Sequence, residues 1–209
     1  MRYLWERRTD AHYFSLFEPQ AGQLCGELTP AYARLGEEDI ARVKALVPDC
    51  KLIYLLRNPV DRIWSQIQMF QRKKKVPENS TLMEVFQSEE GFMLASSSYM
   101  TNLARWEKAY GPDQLFIGFF EQIHEAPTQL LKEVYHFLGV DGSDDRIPSN
   151  LKEKHNPGGA YAEIPKAFER MLTQQLLPEM EALHARFQNT YTQQWLNRAE
   201  ACLAANPES

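Results

Sequence analysis

Leu52-Ile53-Tyr54-Leu55-Leu56 is an uninterrupted apolar run of strand length, flanked by Lys51 and Arg57. An unbroken run, in place of an alternating one, is the pattern of a parallel strand covered on both faces. Downstream, Ile63, Trp64, Ile67 and Phe70 recur at helical spacing, which marks one buried helix face. Asn58 suits the cap of that helix, Pro59 its first position and Asp61 its acidic first turn. The pattern predicts a strand over 52–56 and a helix over 60–74, with Arg57 at the joint.

The remaining pattern alternates in the same way. Ala11 to Phe17 is a short aromatic-rich segment, and Gln23 to Leu28 reads as a short strand ahead of the Thr29-Pro30 turn. Helices are predicted over 37–46 and, more briefly, over 81–87. Tyr99, Leu103, Trp106 and Tyr110 form a helical stripe ended by Gly111-Pro112, and Leu115 to Phe120 is a second apolar strand. Thr128 to Leu138 is an amphipathic helix closed by Gly139. Helical segments over 165–177 and 178–187 are interrupted or kinked at Pro178. Strands alternating with helices imply an α/β fold, a parallel sheet flanked by helices, whose ligands bind beyond the carboxyl ends of the strands. Arg57 sits at such an end.

Arg57 offers a planar fork of donors suited to phosphate, Ser65 adds a hydroxyl on a neighbouring helical rim, and the helix start adds backbone N–H groups. Together they make an anion site. The competing reading is a surface ion pair between Arg57 and Asp61.

Composition narrows the setting. With 209 residues, 44% of them hydrophobic, the chain can bury one substantial core, and a single domain over 1–209 is expected. No apolar stretch approaches the roughly 20 residues of a membrane span, and the first residues lack a signal-peptide core. These features predict a cytoplasmic protein with no membrane span. Cys25, Cys50 and Cys202 are odd in number and lack metal-ligand spacing, so reduced thiols and no metal are expected. A net charge of −5 argues against a nucleic acid polymer as partner. Arg72-Lys73-Lys74-Lys75 is either a solvated helix terminus or a patch that steers an anionic acceptor.

The string Arg57-Asn58-Pro59-Val60-Asp61-Arg62-x-x-Ser65 after an apolar strand closely resembles the 3′-phosphate-binding segment of sulfotransferases that use 3′-phosphoadenosine 5′-phosphosulfate (PAPS). Gly26-Glu27-Leu28-Thr29-Pro30-Ala31-Tyr32 resembles the Gly-Glu-x-Ser/Thr-Pro-x-Tyr stretch of the bacterial and heparan-sulfate-type branch. Tyr99, Leu103 and Trp106 are similar to its Tyr-x-x-x-Leu-x-x-Trp helix. Residues 114–121 resemble its next strand, and 127–140 its helix ending in Phe-Leu-Gly-Val.

The resemblance implies a P-loop-NTPase-like sulfotransferase fold that moves a sulfuryl group from PAPS to a hydroxyl or amine, releasing 3′-phosphoadenosine 5′-phosphate (PAP), without a metal. Small-molecule, lipid or carbohydrate acceptors are all compatible. By the same resemblance Arg57 and Ser65 bind the 3′-phosphate. Lys154, Gly158 and Gly159, in the polar loop from Lys152 to Gly159, stand where the family places a late cofactor contact. Tyr99 contacts the nucleotide or acceptor, or else belongs to the core. Thr9-Asp10-Ala11-His12-Tyr13-Phe14 is similar to the Lys-Glu-x-His-Phe/Tyr-Phe motif, whose glutamate is the base. Asp10 falls on that glutamate, and His12, with an ordinary pKa near neutrality, is a second candidate.

One family element is missing from these 209 residues. Relatives begin with a strand and a Pro-Lys-x-Gly-Thr-Thr loop around the 5′-phosphosulfate, whereas Met1-Arg2-Tyr3-Leu4 resembles the helix after that loop. The alternative function is therefore a catalytically inactive nucleotide- or partner-binding remnant. A P-loop kinase relative is disfavoured because neither the kinase loop nor a metal-binding acidic pair is recognisable.

Overall fold

The computed structural model describes residues 9–73, 75, 77, 79–151, 153 and 163–205. In chain order these form α1 (Asp10–Phe14), a 3₁₀ turn (Pro30–Arg34), α2 (Glu37–Leu46), β1 (Leu52–Leu56), α3 (Pro59–Arg72), α4 (Leu82–Ser97) and α5 (Tyr99–Tyr110). Then follow β2 (Leu115–Phe119), α6 (Gln122–Glu125), α7 (Pro127–Leu138), α8 (Lys166–Phe187) and α9 (Thr190–Ala204). No described helix is long and apolar enough to cross a membrane.

β1 and β2 pair in parallel, with Leu52 opposite Leu115 and Leu56 opposite Phe119. Three helices lie between them, the crossover that a parallel pair requires. Because side chains alternate, Tyr54, Leu56 and Phe119 share one face. Tyr54 meets Tyr99 of α5 edge-on at 6.1 Å, while Phe119 packs against Phe187, Tyr191 and Trp195 of the α8–α9 hairpin. This face is continuous with the core, which takes in Ile63, Ile67, Met93, Leu103, Leu172 and Leu183.

The other face departs from the prediction that β1 is covered on both sides. α7 packs on β2, with Phe116 and Phe137 at 5.6 Å, and leaves part of β1 open on this side. Ile53 and Leu55 are 44% and 38% exposed. Gly118, opposite Leu55, is needed for this close layer, since a β-carbon there would stand 2.8 Å from the Leu55 side chain and 3.2 Å from Leu130 of α7. Among the described residues, no strand pairs with the second edge of β1. That explains a second departure, because residues 23–28 form no strand. Without a ladder partner an extended segment leaves its N–H and C=O groups to water, and Leu24 and Leu28 are 59% and 92% exposed.

Helix starts follow the sequence closely. Asn58 Oδ1 accepts the Val60 and Asp61 amides at 2.9 and 3.3 Å, and Thr81 with Glu84 closes a reciprocal capping box at the start of α4. Helix ends are less legible. α4 runs to Ser97 instead of Gln87, because burial of Phe86 and Met93 outweighs the weak helix propensity of its Gly and Ser residues. α8 passes through Pro178 uninterrupted. Packing of Leu172, Leu176, Met180 and Leu183 on both sides of it offsets the lost hydrogen bond and the ring clash, together about 3 kcal/mol. α9 contains no proline or glycine, and the pattern predicts no element there, yet Asn189 caps it through the Thr192 amide.

α5 has no side-chain cap of its own. Glu179 of α8 supplies one, accepting the Met100 amide at 2.8 Å. Burial nonetheless pushes its carboxyl above the ordinary range. A raised carboxyl pKa in the folded state means that the ionised form costs stability, so this contribution declines as pH rises above about 4.5. Glu179→Gln keeps an acceptor and removes the charge. Its melting temperature should exceed that of the parent at pH 7, with the difference vanishing toward pH 4, as thermal melts across that range would show.

Candidate anion-binding site

The site begins at the carboxyl end of the strand pair. Arg57 follows β1 directly, and the Phe120 amide, just past β2, donates to the Leu56 carbonyl at 2.7 Å. That bond brings Phe120 beside Arg57, whose guanidinium lies 4.5 Å from the ring centroid. The aromatic face holds the fork in place and leaves its donors unspent. The Arg57–Asp61 ion pair is not formed. Asp61 bonds Arg198 Nη1 of α9 at 2.8 Å, and Arg198 also bonds Glu169 of α8 at 2.7 Å. Among the described residues, Arg57 is free of any carboxylate.

Ser65 lies two turns along α3, half-buried and without a hydrogen-bond partner among the described residues. Tyr99, at the start of α5, is 3% exposed and belongs to the core cluster. Burial raises its phenol pKa above the ordinary value, and the neighbouring Arg62 opposes that shift. Lys154, Gly158 and Gly159 lie outside the described residues.

Asp10 and His12 stand elsewhere. Both are on α1, whose cap is Thr9, its hydroxyl accepting the His12 amide at 3.2 Å. Tyr13 on the same turn donates its hydroxyl to Glu27 Oε1 at 2.9 Å, and Thr29 donates to the other carboxylate oxygen at 3.2 Å. Glu27 also raises the pKa of the Cys50 thiol, after burial. Cys50 precedes β1, so α1 is tethered near the amino end of a five-residue strand, about 17 Å in length, while Arg57 is at its carboxyl end. The structure thus places Tyr99 near Arg57 and Ser65 on the helix that starts just after it, while α1 with Asp10 and His12 is held toward the amino end of β1.

Other residues emerge only from the fold. Arg62 is inside the quoted motif but turns inward, donating to Ser97 Oγ at 2.7 Å, Gln66 Oε1 at 2.8 Å and the Met93 carbonyl at 2.6 Å. None of these partners is charged. Burial lowers its pKa; neighbouring Tyr99 and Tyr54 oppose that shift, and Arg57 and Arg34 add to it. Glu121 accepts the Trp195 indole N–H at 2.7 Å on one oxygen, and its other oxygen is buried without a partner among the described residues. The helical offset between Arg62 and Gln66 signals their contact. No sequence signal identifies Phe120 as the platform for Arg57.

A family model described as a sulfotransferase domain matches residues 39–156. Sulfotransferase 1E1 from Bos taurus is 25% identical over 166 residues, which cover 70% of this chain and 55% of that protein. The bifunctional heparan sulfate N-deacetylase/N-sulfotransferase 2 from Homo sapiens is 30% identical over 137 residues, 60% of this chain and 14% of that protein. The chain spans about half the length of the first relative and a much smaller share of the second. The crystal structure of a sulfotransferase from Alicyclobacillus acidocaldarius superposes with a TM-score of 0.75 at 23% identity, covering 92% of this chain and 76% of that one.

Proposed function

The chain belongs to the sulfotransferase domain family, and on that premise we propose that Arg57 and Ser65 anchor the 3′-phosphate of PAPS in a transfer to a hydroxyl or amine acceptor. The observation that carries this reading is the Arg57 guanidinium at the carboxyl end of β1, fixed on Phe120 at 4.5 Å while Asp61 is engaged by Arg198. A planar, charged and unspent fork beside a helix N-terminus is suited to a phosphate dianion.

The reaction would form a bond from the acceptor oxygen or nitrogen to sulfur and break the bond between sulfur and the bridging phosphate oxygen. That oxygen leaves with PAP, and the acceptor's proton passes to a base. Asp10 or His12 fills that role under the family resemblance, and either needs α1 to leave its Tyr13–Glu27 tether. The acceptor belongs to the small-molecule, lipid or carbohydrate class. No metal enters the proposed step.

Calorimetric titration tests donor binding separately from turnover. PAP should bind at least tenfold more tightly than adenosine 5′-phosphate, which lacks the 3′-phosphate. Equal affinity for the two would overturn the assignment of Arg57 and Ser65.

A further inference from the structure

The charge around α3 is out of balance. Arg34 and Arg57 each lie within electrostatic range of Arg62, and both depress its pKa. Among the described residues, none of the three forms an ion pair with a carboxylate. Arg62 is half-buried, and a cation held partly out of water without a counter-charge is costly. An anionic occupant relieves that cost.

A groove of about 490 Å³ lies alongside, lined by Gln66, Met69, Phe70, Lys75, Glu89 and Phe92. It joins the cationic cluster at two points. Gln66 accepts from Arg62 at 2.8 Å, and the Arg34 guanidinium lies 4.2 Å from the Phe92 ring centroid. At the far end, Lys75 Nζ is 5.5 Å from the Phe70 centroid. The two rings stand 6.5 Å apart at an interplanar angle of 31°, forming an apolar floor with a cation over each ring. Among the described residues Glu89 is the one acid on the lining and Lys75 the one cation, with Arg34 and Arg62 adjoining it through Phe92 and Gln66. Met69 follows Ser65 by one turn of α3, so the groove continues from the proposed donor anchor along the same helix.

We propose that this groove binds the acceptor, and that the acceptor is an amphiphilic organic anion with an aromatic or aliphatic body and a carboxylate or sulfate group. The inference rests on the donor reading for the word acceptor, while the binding preference stands by itself. The volume is within the range of small-molecule sites. Phe70, Phe92 and Met69 would contact the apolar body, while Arg34 or Lys75 would pair with the charge. A neutral ligand of the same shape leaves that pairing unused.

The test uses 6-hydroxy-2-naphthoate and its uncharged isostere 6-hydroxy-2-naphthamide, titrated separately into the chain with and without PAP. The carboxylate should bind at least about tenfold more tightly than the amide, with an advantage that shrinks as salt rises. It should disappear in the double variant Arg34→Gln/Lys75→Gln, both of whose side chains are exposed. Equal binding of the two probes, no binding of either, or an anion preference that survives in the double variant would overturn the proposal. Parallel titration with PAP separates the two readings. Binding of PAP without the anion preference removes the groove proposal alone, whereas absence of PAP binding removes the donor assignment.

Discussion

Arg57→Ala is expected to weaken PAP binding by on the order of a hundredfold and to leave adenosine 5′-phosphate binding unchanged. The magnitude follows from two charge-assisted hydrogen bonds to one phosphate, each worth about 1.5–3 kcal/mol, less the solvation that phosphate regains. Folding should be spared. The guanidinium stacks on Phe120 and takes part in no ion pair among the described residues, so its removal strands no buried partner. Arg57→Lys keeps the charge without the planar fork and should fall between the two. Calorimetry on the three proteins with both nucleotides checks the series. A loss shared equally by PAP and adenosine 5′-phosphate would place Arg57 away from the 3′-phosphate.

What could be read from the chain divides along the range of the interactions involved. β1 matches its predicted span of 52–56, and α3 begins at its Asn58-Pro59 signal, because strand runs and helix caps are decided within a few residues. The length of α4, the continuity of α8 through Pro178 and the existence of α9 depend on partners far along the chain. Phe119, for example, gathers Phe187, Tyr191 and Trp195, and no local pattern announces that meeting.

The site shows the same division. The position of Arg57 at a strand end was legible, since it depends on adjacent residues. Its freedom from Asp61 was not, because that depends on Arg198, 137 residues away. The inward turn of Arg62 depends on Ser97 and the Met93 carbonyl, which arrive with α4. The placement of α1 is the sharpest case. The motif that suggests Asp10 or His12 as base says nothing about the Tyr13–Glu27 bond that holds α1 near the start of β1.

A polypeptide of residues 1–209 expressed alone is expected to bind PAP and to show no measurable sulfuryl transfer. Binding needs the 3′-phosphate anchor, the role proposed for Arg57 and Ser65. Transfer needs donors aimed at the 5′-phosphosulfate oxygens where charge develops, and the 209 residues contain no Pro-Lys-x-Gly-Thr-Thr segment to supply them. Loss of a single such donor costs roughly 10²–10³ in rate, and a loop contributes several backbone N–H groups together with a lysine. The second edge of β1 carries no paired strand among the described residues, and Ile53 and Leu55 beside it are exposed. A strand added there would both complete the ladder and carry its following loop to the carboxyl edge occupied by Arg57. Fusing a strand and loop of that pattern ahead of Met1 should therefore raise turnover by at least about a thousandfold over the unfused chain and increase its melting temperature. Assays with PAPS and an aryl alcohol, read as PAP release, measure the first effect. Appreciable turnover by the unfused chain would show that another group of this fold carries the phosphosulfate. A fused chain with a raised melting temperature and no turnover would identify α1, which carries Asp10 and His12 and is tethered toward the amino end of β1, as the remaining block.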